Sequence, residues 1–256
     1  VNSLGLPNPD PQWWKEHLPP LVQRAHQAGK PVWVSVAGFA PIEYARLVLL
    51  AIKCGADIVE INLGCPNVWD AGQQKAIASY SPLLTAEILQ QVGKVIPPGF
   101  PVAAKISPYF LDLLPAHPRV TIAPVSNDPE ILQNIVYAIV RSGIVKIVTS
   151  GNTVPNARVL KEDGTLAIKS PDVPSGVGGL AGPMIRRAAL HQVGILGRLL
   201  PPSIDIAAAG GVSTGQDVQE FLDAGAKVVQ IGTAFANHGP KVFERILSKF
   251  VSMTSQ

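Results

Sequence analysis

The chain is short of groups that would point to several common functions. It has two cysteines, two methionines and 6% aromatic residues in 256 positions, and only 15% of its residues are charged. Cys54 and Cys65 cannot build a disulfide framework, so a reducing, cytoplasmic setting is expected. Lysine and arginine exceed the acids by only +3 and form no long basic run, which argues against nucleic acid as the main partner. Mean hydropathy is high at +0.25, yet Lys53, Asp57, Glu60 and Lys105 interrupt the apolar stretches before they reach about 18 residues, so no membrane helix is expected. The histidines (His17, His26, His117, His191, His238) show no metal-ligand spacing, and no metal site is expected. Linker-like shifts and low-complexity tracts are also missing.

What is present is a repeating alternation. Apolar, β-branched runs over 31–37, 56–63, 102–106, 145–149, 204–209 and 227–231 each give way to a Gly, Pro or Asn turn and then a helical pattern. Near-continuous apolar strands separated by helices predict a parallel sheet covered on both faces. The expected fold is an α/β barrel of the TIM (β/α)8 type forming one domain over 1–256. About six of the eight strand-helix units are visible. Residues 1–30 hold only a turn-rich segment and a broken helix over 12–28, so the barrel is expected to be incomplete at its N-terminal end. Asp10-Pro11 and Asp128-Pro129 read as helix starts, Ser213 or Thr214 as the cap of a helix over 216–224, and Gly29, Gly55 and Gly225 as helix stops. Cys54 near a helix end reads as a small buried hydrophobe. Asp163-Gly164 within 159–168 predicts a hairpin flap over the strand ends.

The candidate chemistry lies where strands end. Ile61-Asn62-Leu63-Gly64-Cys65-Pro66-Asn67 places a thiol between two asparagines as a strand opens into a loop. No histidine or carboxylate occupies such a position, which leaves Cys65 as the strand-end group with an accessible proton; with modest activation it can act as a base near neutral pH. Gly210-Gly211 after one strand and Gly232-Thr233 after the next predict a phosphate site, with a helix N-terminus adding its positive end. The cluster containing Gly178 and Gly179 reads as a lid or as a second wall for a phosphate-bearing cofactor. Lys105 ends the run Val102-Ala103-Ala104 and is expected at the mouth of the sheet. Asn62, Asn67, Asn152 and Thr153 offer neutral donors and acceptors able to read a ring amide or a carboxylate.

Taken in order, the 2–8 segment Asn-Ser-Leu-Gly-Leu-Pro-Asn, the 62–67 segment, Lys105, Asn152-Thr153, Gly178-Gly179, Gly210-Gly211 and Gly232-Thr233 resemble the dihydroorotate dehydrogenases over nearly the whole chain, and 217–226 matches that family's penultimate helix. The resemblance implies an FMN-containing barrel of the soluble, cysteine-using class that oxidises dihydroorotate to orotate in pyrimidine (UMP) synthesis. In that family a base takes a proton from the ring carbon next to the carboxamide carbonyl while the neighbouring carbon delivers hydride to the flavin. Cys65 matches the base. Asn2, Leu4, Gly5, Leu6, Asn62, Asn67, Asn152 and Thr153 match substrate-binding positions. Lys105 matches the lysine beside the flavin ring, and Asn152, Gly178, Gly179, Gly210, Gly211, Gly232 and Thr233 match other cofactor positions. Dihydroorotate or orotate is then the expected small-molecule partner and a homodimer the expected assembly.

Three departures stand out. The family's serine before the cysteine is Gly64 here; residues 68–74 differ from the short loop of the fumarate-using class; and the family's two strands before the Asn2 segment, with further flavin contacts, are not in this sequence. Two alternatives follow: a flavin-dependent tRNA dihydrouridine synthase, which shares a Gly-Cys-Pro trio, or an inactive truncated barrel with a structural or binding role.

Overall fold

A computed structural model describes the chain except residues 4–8, 71–72, 124–128, 170–172, 174 and 255–256. The elements in chain order are α1 (Pro11–Gln27), β1 (Trp33–Val36), α2 (Pro41–Lys53), β2 (Ile58–Asn62), β3 (Trp69–Asp70), β4 (Gln73–Gln74), α3 (Pro82–Gly93), β5 (Val102–Lys105), β6 (Val120–Ile122), α4 (Pro129–Ser142), β7 (Val145–Ser150), β8 (Val154–Val159), β9 (Val177–Leu180), α5 (Arg186–Leu199), β10 (Asp205–Ala209), α6 (Gly215–Asp223), β11 (Val228–Gln230), α7 (Thr233–His238) and α8 (Lys241–Thr254).

The six predicted runs form one sheet in the order β1-β2-β5-β7-β10-β11, and every neighbouring pair is parallel. Its curvature can be read from one contact. A flat sheet would hold β2 and β11 four strand spacings apart, about 19 Å, yet the Gln230 side chain donates to Glu60 at 2.9 Å. The sheet therefore curls as part of a barrel. Helices close its outer face: Val48, Ile88, Val92, Ile135, Ile139, Val193, Leu196 and Phe221 pack with Val59, Ile61, Val102 and Val148 in the main core cluster. Burial on this scale, about 25 cal/mol per Å2 of apolar surface, holds the strand ends in fixed register.

The helix ends follow the sequence signals. The Asp10 carboxylate accepts from the Gln12 and Trp13 N–H groups at 2.8 and 2.9 Å, with Pro11 in the first turn. Gly29, Gly55 and Gly225 take φ of 66°, 95° and 111° just past their helices. Cys54 is buried at the end of α2. Asp128 lies outside the described residues.

The first helix departs from expectation. It runs unbroken through Pro19 and Pro20, because Lys15 and Glu16, whose carbonyls those prolines leave without N–H partners, are exposed and can be met by water. The sequence also gave no sign of the three-stranded antiparallel sheet β6-β8-β9 or the β3-β4 hairpin after Cys65. The 159–168 hairpin does form, with Leu160 bridging Leu166 and Gly164 at φ 78°, and it continues from β8.

Candidate active site

The C-terminal ends of the strands meet around a cavity of about 190 Å3, lined among others by Lys105, Asn152, Thr153, Gly210, Gly211, Gly232 and Thr233. Seven predicted residues from four segments thus share one wall. Gly151, Ala181, Gly182 and Gln230 also line it; Ala181 and Gly182 end the glycine cluster expected as a second wall, and Gln230 was not foreseen.

Only glycine fits the tightest part. Gly210 and Gly211 have φ of 140° and 76°, and a Cβ on Gly211 would stand 2.8 Å from both the Arg186 Cβ and the Gly182 carbonyl oxygen. Close packing behind the loop leaves the main chain itself as the cavity wall, the arrangement that lets backbone N–H groups approach an anion. The predicted contribution of the next helix is altered, however. The N–H groups of Ser213 and Thr214 both donate to the Asp217 carboxylate, at 2.8 and 2.9 Å, and Thr214 completes a capping box. Burial raises the Asp217 pKa, but these donors outweigh it and hold the carboxyl below the usual carboxylate range. The positive end of α6 is therefore already met by an anion of the chain itself.

Gly178 and Gly179 sit in β9 and do not line this cavity. They allow strand contact instead: a Cβ on Gly179 would lie 2.2 Å from Thr153 Oγ1, and one on Gly178 would lie 2.4 Å from the Asn2 carbonyl oxygen. Asn2 and Gly179 form an antiparallel bridge.

The amides are organised in two pairs. Asn62 Oδ1 accepts from Asn152 Nδ2 at 2.9 Å and from the Gly64 N–H at 3.2 Å, tying the cysteine loop to the end of β7. Asn67 Nδ2 donates to the Asn2 carbonyl at 3.1 Å and to Asn2 Oδ1 at 3.0 Å. Leu4, Gly5 and Leu6 lie outside the described residues.

Cys65 is half-buried, beside a second cavity of about 180 Å3 that Tyr44, Leu63, Val68, Lys75 and Ile88 also line. The expected activation of the thiol is not found. Burial pushes its pKa up, and the Asn67 N–H and the Lys105 ammonium only partly pull it back. The Tyr44 hydroxyl, which donates to the Asn62 carbonyl at 3.1 Å, is pushed up to about 12 by burial and stays neutral.

Gly64 is a close fit. A Cβ there would meet the Ile106 carbonyl carbon, the Ser107 nitrogen and Ser107 Oγ, each at 3.0 Å. Ser107 cannot easily give way, because its hydroxyl accepts from Ser79 Oγ at 2.7 Å and its N–H donates to the same Ser79 oxygen at 3.0 Å. Gly64→Ser is expected to cost about 1–2 kcal/mol from overpacking, read as a lower melting temperature; unchanged melting would contradict this fit.

The strand-end elimination overlooked a carboxylate. Glu60, two residues before the end of β2, is buried and hydrogen-bonded inside the sheet. A charge within an apolar run reads as an interruption, although period-two alternation puts residue 60 on the same face as Asn62.

The sequence model described as dihydroorotate dehydrogenase matches residues 1–253. The chain is 32% identical over 248 residues to "Putative dihydroorotate dehydrogenase A (fumarate)" of Streptococcus pyogenes serotype M1, covering 96% of this chain and 70% of that protein. It is 29% identical over 257 residues to "Dihydroorotate dehydrogenase A (fumarate)" of Lactococcus lactis subsp. cremoris (strain MG1363), covering 100% of this chain and 74% of the relative. A crystal structure of DHODH in complex with ferulenol from Eimeria tenella superposes with a TM-score of 0.67 at 18% identity, over 94% of this chain. The chain spans 64% of that structure's length, and the likeness establishes the fold. Sheet order, strand-end residues and sequence similarity agree, and the chain belongs to the dihydroorotate dehydrogenase family.

Proposed function

We propose that residues 1–256 form a single flavin-binding barrel domain that oxidises dihydroorotate to orotate in pyrimidine biosynthesis, with FMN as cofactor. The observation that carries this reading is the convergence of the Gly210-Gly211 and Gly232-Thr233 loops with Lys105 in one cavity. The donor set suits FMN: the main-chain wall at Gly210-Gly211, packed from behind by Ala189 and Arg186, would hold the phosphate, and the Lys105 ammonium would meet electron-rich atoms of the flavin. Bound FMN supplies the two-electron acceptor.

The remaining chemistry falls to the chain itself. Cys65 takes the ring proton, and Asn62, Asn67, Asn152, Thr153 and Asn2 orient the pyrimidine amide and carboxylate without adding charge. Gly178 and Gly179 support the cofactor site indirectly, by letting β9 press against Thr153 and Asn2. No helix among the described residues is long and apolar enough to cross a membrane; the proposed setting is the cytoplasm and the proposed assembly a homodimer. With oxygen excluded, dihydroorotate is expected to bleach the flavin absorbance of the loaded protein; an unchanged spectrum in folded, flavin-loaded protein would sink the assignment.

A further inference from the structure

Glu60 is one of the most deeply buried charged groups described, its side chain 3% exposed, and its partners come from across the sheet. Its Oε1 accepts from Ser35 Oγ on β1 at 2.9 Å and stands 3.8 Å from Lys105 Nζ on β5. Its Oε2 accepts from Thr149 Oγ1 on β7 at 2.7 Å and from Gln230 Nε2 on β11 at 2.9 Å. Gln230 Oε1 in turn accepts from Lys105 Nζ at 3.5 Å. A carboxylate removed from water is costly unless it is paired and hydrogen-bonded, and apolar side chains can fill such a place without loss of stability. Retaining the charge therefore calls for a reason beyond packing.

The network has a direction. Of these partners, Lys105 and Gln230 line the glycine-walled cavity, while Ser35, Thr149 and Glu60 lie behind it. A lysine has a flexible four-carbon stem and would otherwise spend its rotamers in solvent. We infer that Glu60 is a positioning residue for the cofactor: it fixes the Lys105 ammonium and the Gln230 amide at the back of the cavity and balances the lysine's charge. This inference rests on the flavin reading of the cavity given above.

A double-mutant cycle in FMN affinity tests it, using flavin-free protein of wild type, Glu60→Gln, Lys105→Met and the double variant, with melting curves to confirm that each is folded. With Lys105 present, Glu60→Gln is expected to weaken FMN binding about tenfold; in the Lys105→Met background the same change should cost less than about twofold. A role confined to packing would move both backgrounds equally, so equal losses overturn the inference whatever the melts show. Thr149→Val, which removes one donor from Glu60 without altering a cavity-lining residue, repeats the cycle if Glu60→Gln fails to fold. If the wild-type protein binds no FMN, the flavin reading itself fails and takes the inference with it; additive losses in a protein that does bind FMN defeat the inference alone.

Discussion

Cys65→Ala is expected to slow dihydroorotate oxidation by about a hundred- to ten-thousandfold, the range a positioned general base ordinarily supplies, while FMN content and melting temperature stay near wild type. The residue is half-buried at the edge of its cavity, so truncating it leaves the Gly210-Gly211 wall and Lys105 in place. Cys65→Ser should also be slow, since a hydroxyl is a much weaker acid than a thiol and gives up its proton less readily to become a base. The pH profile separates proton transfer from binding. Only the thiolate can accept the proton, and because burial raises the thiol pKa, the thiolate fraction at neutral pH is small and grows about tenfold per pH unit until the raised pKa is reached. The rising limb of kcat/KM should therefore lie on the alkaline side of an ordinary thiol. In Lys105→Met, which removes a cation that lowers this pKa, the limb should move further up. Normal turnover in Cys65→Ala, or a profile that does not respond to Lys105, would remove Cys65 from the role of base.

The sequence made the site legible where a residue type has few other uses. Glycines at two strand ends, a lysine closing an apolar run and a thiol between asparagines each specify a backbone shape or a chemistry, and the glycines and the lysine line one cavity while the thiol lines a second. Residues whose meaning depends on distant partners were not legible. Glu60 and Gln230 lie 170 positions apart and meet only because the sheet curls. The β6-β8-β9 sheet was hidden for a related reason: β8 contains Pro155, the left-handed Asn156 at φ 56° and Arg158, and β9 contains Gly178 and Gly179, so neither carries a strand-like pattern. The continuity of α1 through two prolines depends on which carbonyls face water, and local sequence does not reveal this.

The glycine wall gives the second large effect. Gly210→Ala combines two penalties: a φ of 140°, which L side chains rarely adopt, and a Cβ placed 2.6 Å from the Ala189 Cβ on α5. Main-chain strain of about 1–3 kcal/mol and overpacking of similar size together predict a loss of about 2–6 kcal/mol in stability. The relief available is movement of the loop away from α5, into the space the phosphate needs, so FMN affinity is expected to fall more than about a hundredfold. Two control substitutions separate the causes. Gly225→Ala has φ 111° and nothing within 4 Å of the new Cβ, and Gly225 does not line the cavity; it should lose stability from strain and keep its FMN affinity. Gly232→Ala has no positive φ and no neighbour within 4 Å, yet Gly232 lines the cavity; it should keep its melting temperature and lose affinity. Equal FMN binding by wild type, Gly210→Ala and Gly232→Ala would mean that the phosphate is held elsewhere. Weakened binding in the two cavity variants but not in Gly225→Ala would identify these loops as its seat.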